Sequence, residues 1–198
     1  MPKIPKKKSL AQTLRDKGVN PNPVLWKPRP EILLGANVPK PLHGVAPRVV
    51  LGASWWDKER RKAYASTNSQ CVACSVHKTR AKYIKHLEGH EVYDIDYLMG
   101  RSVYVETVPL CHFCHNYIHS GRLEALLNAG KIHHAKYVSI IQHGDSVLAK
   151  AKLTKPTPYS GPFADWEDWR LIVDRVEYPP LYKTFTEWQK AMEKWNDE

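Results

Sequence analysis

The stretch LCHFCHNYIH, positions 110–119, holds two cysteines and three histidines. Thiolates and imidazoles at that density are metal ligands by type. Cys111 and Cys114 have the spacing of a zinc knuckle, and a second CxxC pair, Cys71 and Cys74, precedes them by an interval of 36 residues. Zinc takes four soft ligands in a tetrahedron, and two knuckles supply them from the two ends of a loop. A closed set of four thiolates leaves no open coordination position, so the expected role of this zinc is structural. All four cysteines of the chain fall in these two pairs. In a chain with no secretory signal this pattern reads as metal before disulfide, and a redox CxxC would need a βαβ context that is missing here.

The histidines form a second candidate set. Six of the ten lie between residues 77 and 119. His115 and His119, at i and i+4, share one face of a helix. His90 opens a stretch rich in β-branched and aromatic residues. EVYDIDY (91–97) and SVYVETV (102–108) read as two strands joined through Leu98-Met99-Gly100, a hairpin signal. Gly121 marks a stop for the helix that follows. A hairpin folded onto that helix brings His90 to the other two.

Basic residues surround these elements. SWWDKERRKAYAST (54–67) reads as a helix with Ser54 as its cap and Asp57 three residues on, carrying the cluster Lys58, Arg60, Arg61 and Lys62. SVHKTRAKYIKHLE (75–88) reads as another helix, with Ala81, Ile84 and Leu87 inward. On that helix Lys78, Lys82 and Lys85 share a different face, suited to tracking phosphates. The whole chain of 198 residues carries a formal charge of +10, yet residues 165–198 hold nine acids and five bases. The remainder is therefore more basic than the total, which points to a polyanionic partner, most often nucleic acid.

The flanks are distinct in composition. Residues 1–50 are basic at the start (Lys3, Lys6, Lys7, Lys8, Arg15, Lys17), allow a short helix at 10–18, and then run through seven prolines from Pro21 to Pro47. Proline lacks an N–H and fixes its φ, so this is an extended arm, and its apolar residues (Leu25, Trp26, Ile32, Leu33, Leu34) are expected to wrap it on the body. Residues 122–152 are helical by pattern, interrupted at Gly130 and Gly144. Pro156, Pro158 and Pro162 form a linker to an aromatic C-terminal segment with four tryptophans and a final helix near 184–195. No apolar run reaches the length of a membrane span, and no secretory signal is present. The expected location is cytoplasmic, in a bacterial or phage-infected host cytosol and nucleoid-associated, with no membrane partner. The sequence carries no signal for an oligomeric state.

LEGHEVYDIDYLMGRSVYVETVPLCHFCHNYIH resembles the HNH, or ββα-metal, endonucleases, and more narrowly their zinc-clasped branch, in which two CxxC knuckles bracket the ββα unit. The family shape is an L-E-x-H-H opening followed by N-L-V-P-L-C-x-x-C-H-x-x-x-H. Here it reads Leu87-Glu88-Gly89-His90-Glu91, then Glu106-Thr107-Val108-Pro109-Leu110-Cys111, ending in His115 and His119. The flanks PLHGVAPR and WWDKERRKAYAST resemble phage and bacterial proteins. The resemblance spans about residues 71–120. It implies a nuclease that hydrolyses phosphodiesters in DNA with one catalytic divalent ion, Mg²⁺, Mn²⁺ or Zn²⁺, held by His90, His115 and His119, besides the structural zinc on Cys71, Cys74, Cys111 and Cys114.

Two positions depart from the family. Glu91 stands where the family has its general-base histidine, and Glu106 stands where it has an asparagine that helps to orient the base. Glu91 would orient or deprotonate water, with a base poorly matched to neutral pH. A second register makes His90 the base and brings Asp94 or Asp96 to the metal, because neighbouring strand residues face opposite ways. A third possibility is a degenerate site in a module that binds nucleic acid without cutting it, and a fourth is a protein-interaction factor using the C-terminal tryptophans. The expected fold is α+β: an arm over 1–50, a zinc-stabilised ββα-metal core over 51–121, a helical extension over 122–155, and a mostly helical, aromatic and acidic segment over 156–198. Arg60, Arg61, Lys78, Lys82 and Lys85 are the expected nucleic-acid contacts.

Overall fold

The computed structural model describes residues 24–197. The lysines and arginine expected to make the start of the arm basic, and the helix expected at 10–18, lie outside the described residues. The chain is α+β, with a four-stranded sheet and helices packed around it. Among the described residues, no helix is long and apolar enough to cross a membrane.

The hairpin forms where β-branched and aromatic residues predict it. Strands β1 (Glu88–Asp96) and β2 (Arg101–Leu110) pair antiparallel, from Glu88 opposite Leu110 to Asp96 opposite Arg101. The Asp96 carboxylate closes the turn by accepting from the Leu98 and Met99 amides at 3.0 and 2.9 Å. Gly100 then takes φ +64°, a conformation that side chains disfavour. Val92 pairs with Glu106 while Tyr93 pairs with Tyr104, so Val105 is an extra residue in β2. This bulge reverses the side-chain alternation of β2 part-way along. As a result Val92, Val108 and Leu110 join one core with the cysteines, while Tyr93, Ile95 and Tyr104 join a second core with Leu42, Val45, Trp169 and Leu171.

Two helices precede the hairpin, α1 (Pro47–Val50) and α2 (Gly52–Ser66), and α3 (His112–Ile118) and α4 (Ser120–Asn128) follow it directly. Ser54 lies inside α2 rather than capping it. Gly121 likewise lies inside α4; α3 ends at His119, whose φ −88° and ψ 45° turn the chain into the next helix. The helical stretch over 122–152 is two helices, α4 and α5 (His134–Lys150), parted around Gly130 at φ +67°. Gly144 does not interrupt α5. It is the contact point with α3: a Cβ there would lie 2.2–2.4 Å from the Tyr117 ring.

The segment 75–88 is not a helix. Apart from a short 3-10 turn at Lys78–Arg80 it is irregular, because left-handed backbone at Ser75 and Tyr83 interrupts the helical run. Ser75 N–H bonds Cys71 O, Lys78 N–H bonds Ser69 O, and Ser75 and Tyr83 both have φ near +62°. The predicted lysine face over Lys78, Lys82 and Lys85 therefore does not form.

The C-terminal segment is not mostly helical either. It contributes β3 (Arg170–Val173), parallel to β2, and β4 (Val176–Tyr178), antiparallel to β3, before helix α6 (Phe185–Asp197). A parallel pair needs a long crossover, and α3 to α5 supply it. Within residues 24–50, Ile32 and Leu33 are buried in the cysteine core and Leu42 and Val45 in the second.

The fit of Gly144 against Tyr117 is testable. With zinc saturating, Gly144→Ala should lower unfolding stability by about 1–3 kcal/mol through overpacking. Gly121→Ala, which meets nothing within 4 Å, should leave it unchanged or raise it by up to about 1 kcal/mol. Equal midpoints in urea for the two variants would contradict this packing.

Candidate metal centre

Two knuckles meet at the start of α3. Cys71 and Cys74 sit in a turn closed by Cys71 N–H to Val76 O at 2.9 Å, and Val72 N–H bonds Pro109 O at 2.8 Å, which ties this turn to the end of β2. Cys111 is the N-cap of α3, and Cys114 is in its first turn. The four sulfurs lie within 4.8 Å of one another, and Cys71, Cys111 and Cys114 are buried. The Cys74 and Cys111 sulfurs are 3.7 Å apart. Zn–S bonds of about 2.3 Å in a tetrahedron give an S···S edge of about 3.8 Å, whereas a disulfide would need about 2.05 Å. The donor set and its spacing fit zinc. Hydrogen bonds from Cys114, Cys71 and Cys74 hold the Cys111 thiol well below its usual pKa. His143, from α5, places Nε2 3.4 Å from the Cys114 sulfur.

The histidines meet one turn further along α3. His90, His115 and His119 offer ring nitrogens that all lie within 4.8 Å of one another. Their ring centroids are 4.8–5.4 Å apart. A single ion with M–N bonds of about 2.0–2.1 Å needs N···N distances of about 3.4 Å, within reach of small side-chain rotations. Three protein ligands leave coordination positions open, in contrast to the closed cysteine set. Burial, then the charges of His119, His115 and Arg48, push His90 down to about 3. Burial, then His115, Arg122 and Arg48, push His119 down to about 4. Both rings are thus held neutral, the form that binds metal.

Glu88 orients this set. It lies two residues before His90, on the same face of β1 by strand alternation. Its carboxylate accepts from His112 Nδ1 at 2.9 Å and from His115 Nδ1, leaving His115 Nε2 for an ion. Burial alone would raise the Glu88 pKa, but these bonds outweigh it and hold the carboxyl well below its usual range. A carboxylate that fixes the tautomer of a ligand histidine is a recurrent feature of metal sites.

The remaining expected site residues divide. Glu91 is buried but does not join the trio; both its oxygens accept from Arg48 Nη1, at 2.8 and 2.7 Å. Asp94 is exposed and four residues along from His90, about 13 Å of strand, and Asp96 is spent on the hairpin turn. Neither reaches the trio, so the register with an aspartate ligand is not formed. Glu106 pairs with Arg29 at 2.6 Å, away from the trio. Arg60, Arg61 and Lys78 do come together: with Tyr64, His86 and Glu88 they line a cleft of about 590 Å³. Asp57 takes part of this charge, pairing with Arg60 at 2.6 Å and Arg61 at 3.3 Å. Lys82 lies elsewhere, 5.7 Å over the Phe113 ring, and Lys85 is exposed outside the cleft.

Sequence reasoning missed Glu88, His112 and Arg48. The period-2 placement of Glu88 beside His90 was a usable signal; Arg48 is 43 residues from Glu91 and had none.

The four cysteines lie where they can clasp one metal ion, consistent with a zinc-binding module. No family model, curated protein or solved structure matches the chain.

The depressed histidines give a pH signature. Unfolded histidines take up protons near 6.5, whereas His119 and His90 do so only near 4 and 3. Their contribution to stability is complete above 6.5 and is lost as pH falls towards those values. The urea midpoint should therefore fall between pH 6.5 and 4, and fall less steeply in His119→Gln. Identical slopes for the two proteins would contradict burial of a neutral His119.

Proposed function

We propose that this protein is a metal-dependent endonuclease of the HNH type that hydrolyses phosphodiester bonds in DNA, with a structural zinc beside its active centre. The observation that supports this best is the convergence of His90, His115 and His119, from a hairpin and the helix after it, with His115 oriented by Glu88. In this reading residues 51–121 are the catalytic core, and the flanking segments 1–50, 122–155 and 156–198 position it and its substrate. The trio holds one Mg²⁺, Mn²⁺ or Zn²⁺ ion. When bound, that ion supplies Lewis-acid stabilisation of charge on the phosphate. Glu88 keeps His115 in the binding tautomer. Arg60, Arg61 and Lys78 draw the nucleic-acid backbone into the cleft that ends at Glu88, contacts that carry affinity but little sequence information. The setting is the cytosol of a bacterium or of a phage-infected host.

One observation favours a second reading. The carboxylate at the general-base position is engaged by Arg48. A module of the same architecture that binds nucleic acid without cutting it needs no base, and would keep its affinity when the trio is emptied.

Cleavage of supercoiled plasmid with Mg²⁺, Mn²⁺ or Zn²⁺ separates the two. The nuclease reading expects metal-dependent nicking, its abolition in His115→Ala, and a loss of about 10–100-fold in Glu88→Gln. No cleavage of plasmid, branched DNA or RNA with any of these ions, alongside DNA affinity unchanged by removal of the trio's metal, would establish the inert module instead.

A further inference from the structure

His43, in the segment PLHGVAPR, and the C-terminal tryptophans lie outside both metal centres, and the fold joins them. His43 follows the 3-10 turn Lys40–Leu42 and is half-buried beneath helix α6. Both of its ring nitrogens have partners. The Trp188 indole N–H donates to Nδ1 at 3.2 Å, and Nε2–H donates to Val38 O at 3.1 Å. An indole N–H can only donate and a carbonyl can only accept. The two bonds therefore admit one state of the ring, neutral with its proton on Nε2. A second proton would sit on Nδ1 and point at the indole N–H, so that two donors would face each other and the bond would be lost.

The surrounding charge works in the same direction. Lys40 places its ammonium 5.4 Å from the centre of the Phe185 ring and 5.2 Å from that of Trp188. On α6, Glu187 is turned to the Lys183 N–H, Glu193 accepts from Gln189, and Lys190 is exposed. From the segment before α6, Leu181 packs on Gly44 and brings no charge. Among the described residues, no carboxylate acts on His43. Burial, helped by Lys40 and opposed by the Val38 bond, lowers its pKa.

Helix α6 is thinly held. None of its residues from 185 to 193 is buried. Besides the His43 bond, Phe185 and Trp188 meet Trp166 with ring centroids 6.0 and 6.4 Å away. An element with so little buried surface opens at low cost. Losing one bond, with its donor left unpartnered, then removes a large share of what docks it.

We propose that His43 and Trp188 form a pH-sensitive latch, which docks helix α6 while His43 is neutral and releases it when mild acid protonates the ring. The latch does not depend on the nuclease reading. A released His43 takes up its proton near 6.5, and a docked one does so only at lower pH. Docking is therefore complete above 6.5 and is lost as pH falls below it. With the docked ring held neutral, the ratio of docked to released helix falls about tenfold from pH 7.5 to 5.5.

The test is hydrogen exchange of the zinc-loaded full chain, read on residues 185–193 and corrected for the intrinsic pH dependence of exchange. Protection of α6 should fall about five- to tenfold between pH 7.5 and 5.5, while β2 keeps its own. In His43→Gln the carboxamide can accept from Trp188 and donate to Val38 at any pH, so protection should hold within about twofold. Trp188→Phe keeps a ring but removes the donor. Its α6 should be less protected at pH 7.5 and lose under about threefold on acidification, and it carries the test if His43→Gln does not fold. Wild-type protection constant within about twofold would overturn the latch, as would an α6 unprotected at both pH values. So would a loss shared equally by β2, or an equal loss in either variant.

Discussion

Everything in this structure hangs on four sulfurs drawn to one point. Cys74 and Cys111 are 37 residues apart in sequence and 3.7 Å apart in space. Between them runs the hairpin, preceded by a segment with little regular structure and few buried side chains. A hairpin alone is marginal in water, and this one gains its anchor from the ends. A structural zinc in such a clasp contributes roughly 10–16 kcal/mol of apparent binding energy at neutral pH. That fixes the end of β2 against the start of α3, and the Val72 amide bond to Pro109 carries the constraint into the strand.

With α3 pinned at Cys111 and Cys114, its next turns carry His115 and His119 to a fixed place over β1. His90 meets them because it lies opposite Val108 on the face of the hairpin that packs towards α3. The bulge at Val105 then turns the far half of β2 to the second core, so one hairpin serves two packing layers. Strand alternation sends Glu91 the other way, and burial there is sustained by Arg48. Glu91 and Glu106 thus have partners of their own, Arg48 and Arg29.

Local signals were legible where chemistry depends on short spacing. The CxxC pairs, the i, i+4 histidines and the alternating strands of the hairpin could all be read directly. What escaped was set by distance or by override. Strand β3 is four residues of RLIV, too short to announce itself, and its parallel partner lies across three helices. The pattern Ala81, Ile84, Leu87 has helical spacing, yet Tyr83 between them takes φ +62°, which no helix accommodates. Gly144 looks like a helix interruption in sequence and is a packing contact in space. Arg48 follows a proline in an arm with no periodicity, and its importance comes wholly from a residue 43 positions away.

The central claim is that one small framework carries two distinct metal sites, one closed and one open. The most direct measurement is the zinc content per folded chain, by native mass spectrometry after dialysis against zinc, for the wild type and for His115→Ala/His119→Ala. The account predicts two zinc ions in the wild type and one in the variant, with the variant still folded around its cysteines. One zinc in both proteins would contradict it: the histidines would then be polar packing residues, and the cysteine clasp would be the protein's sole metal site.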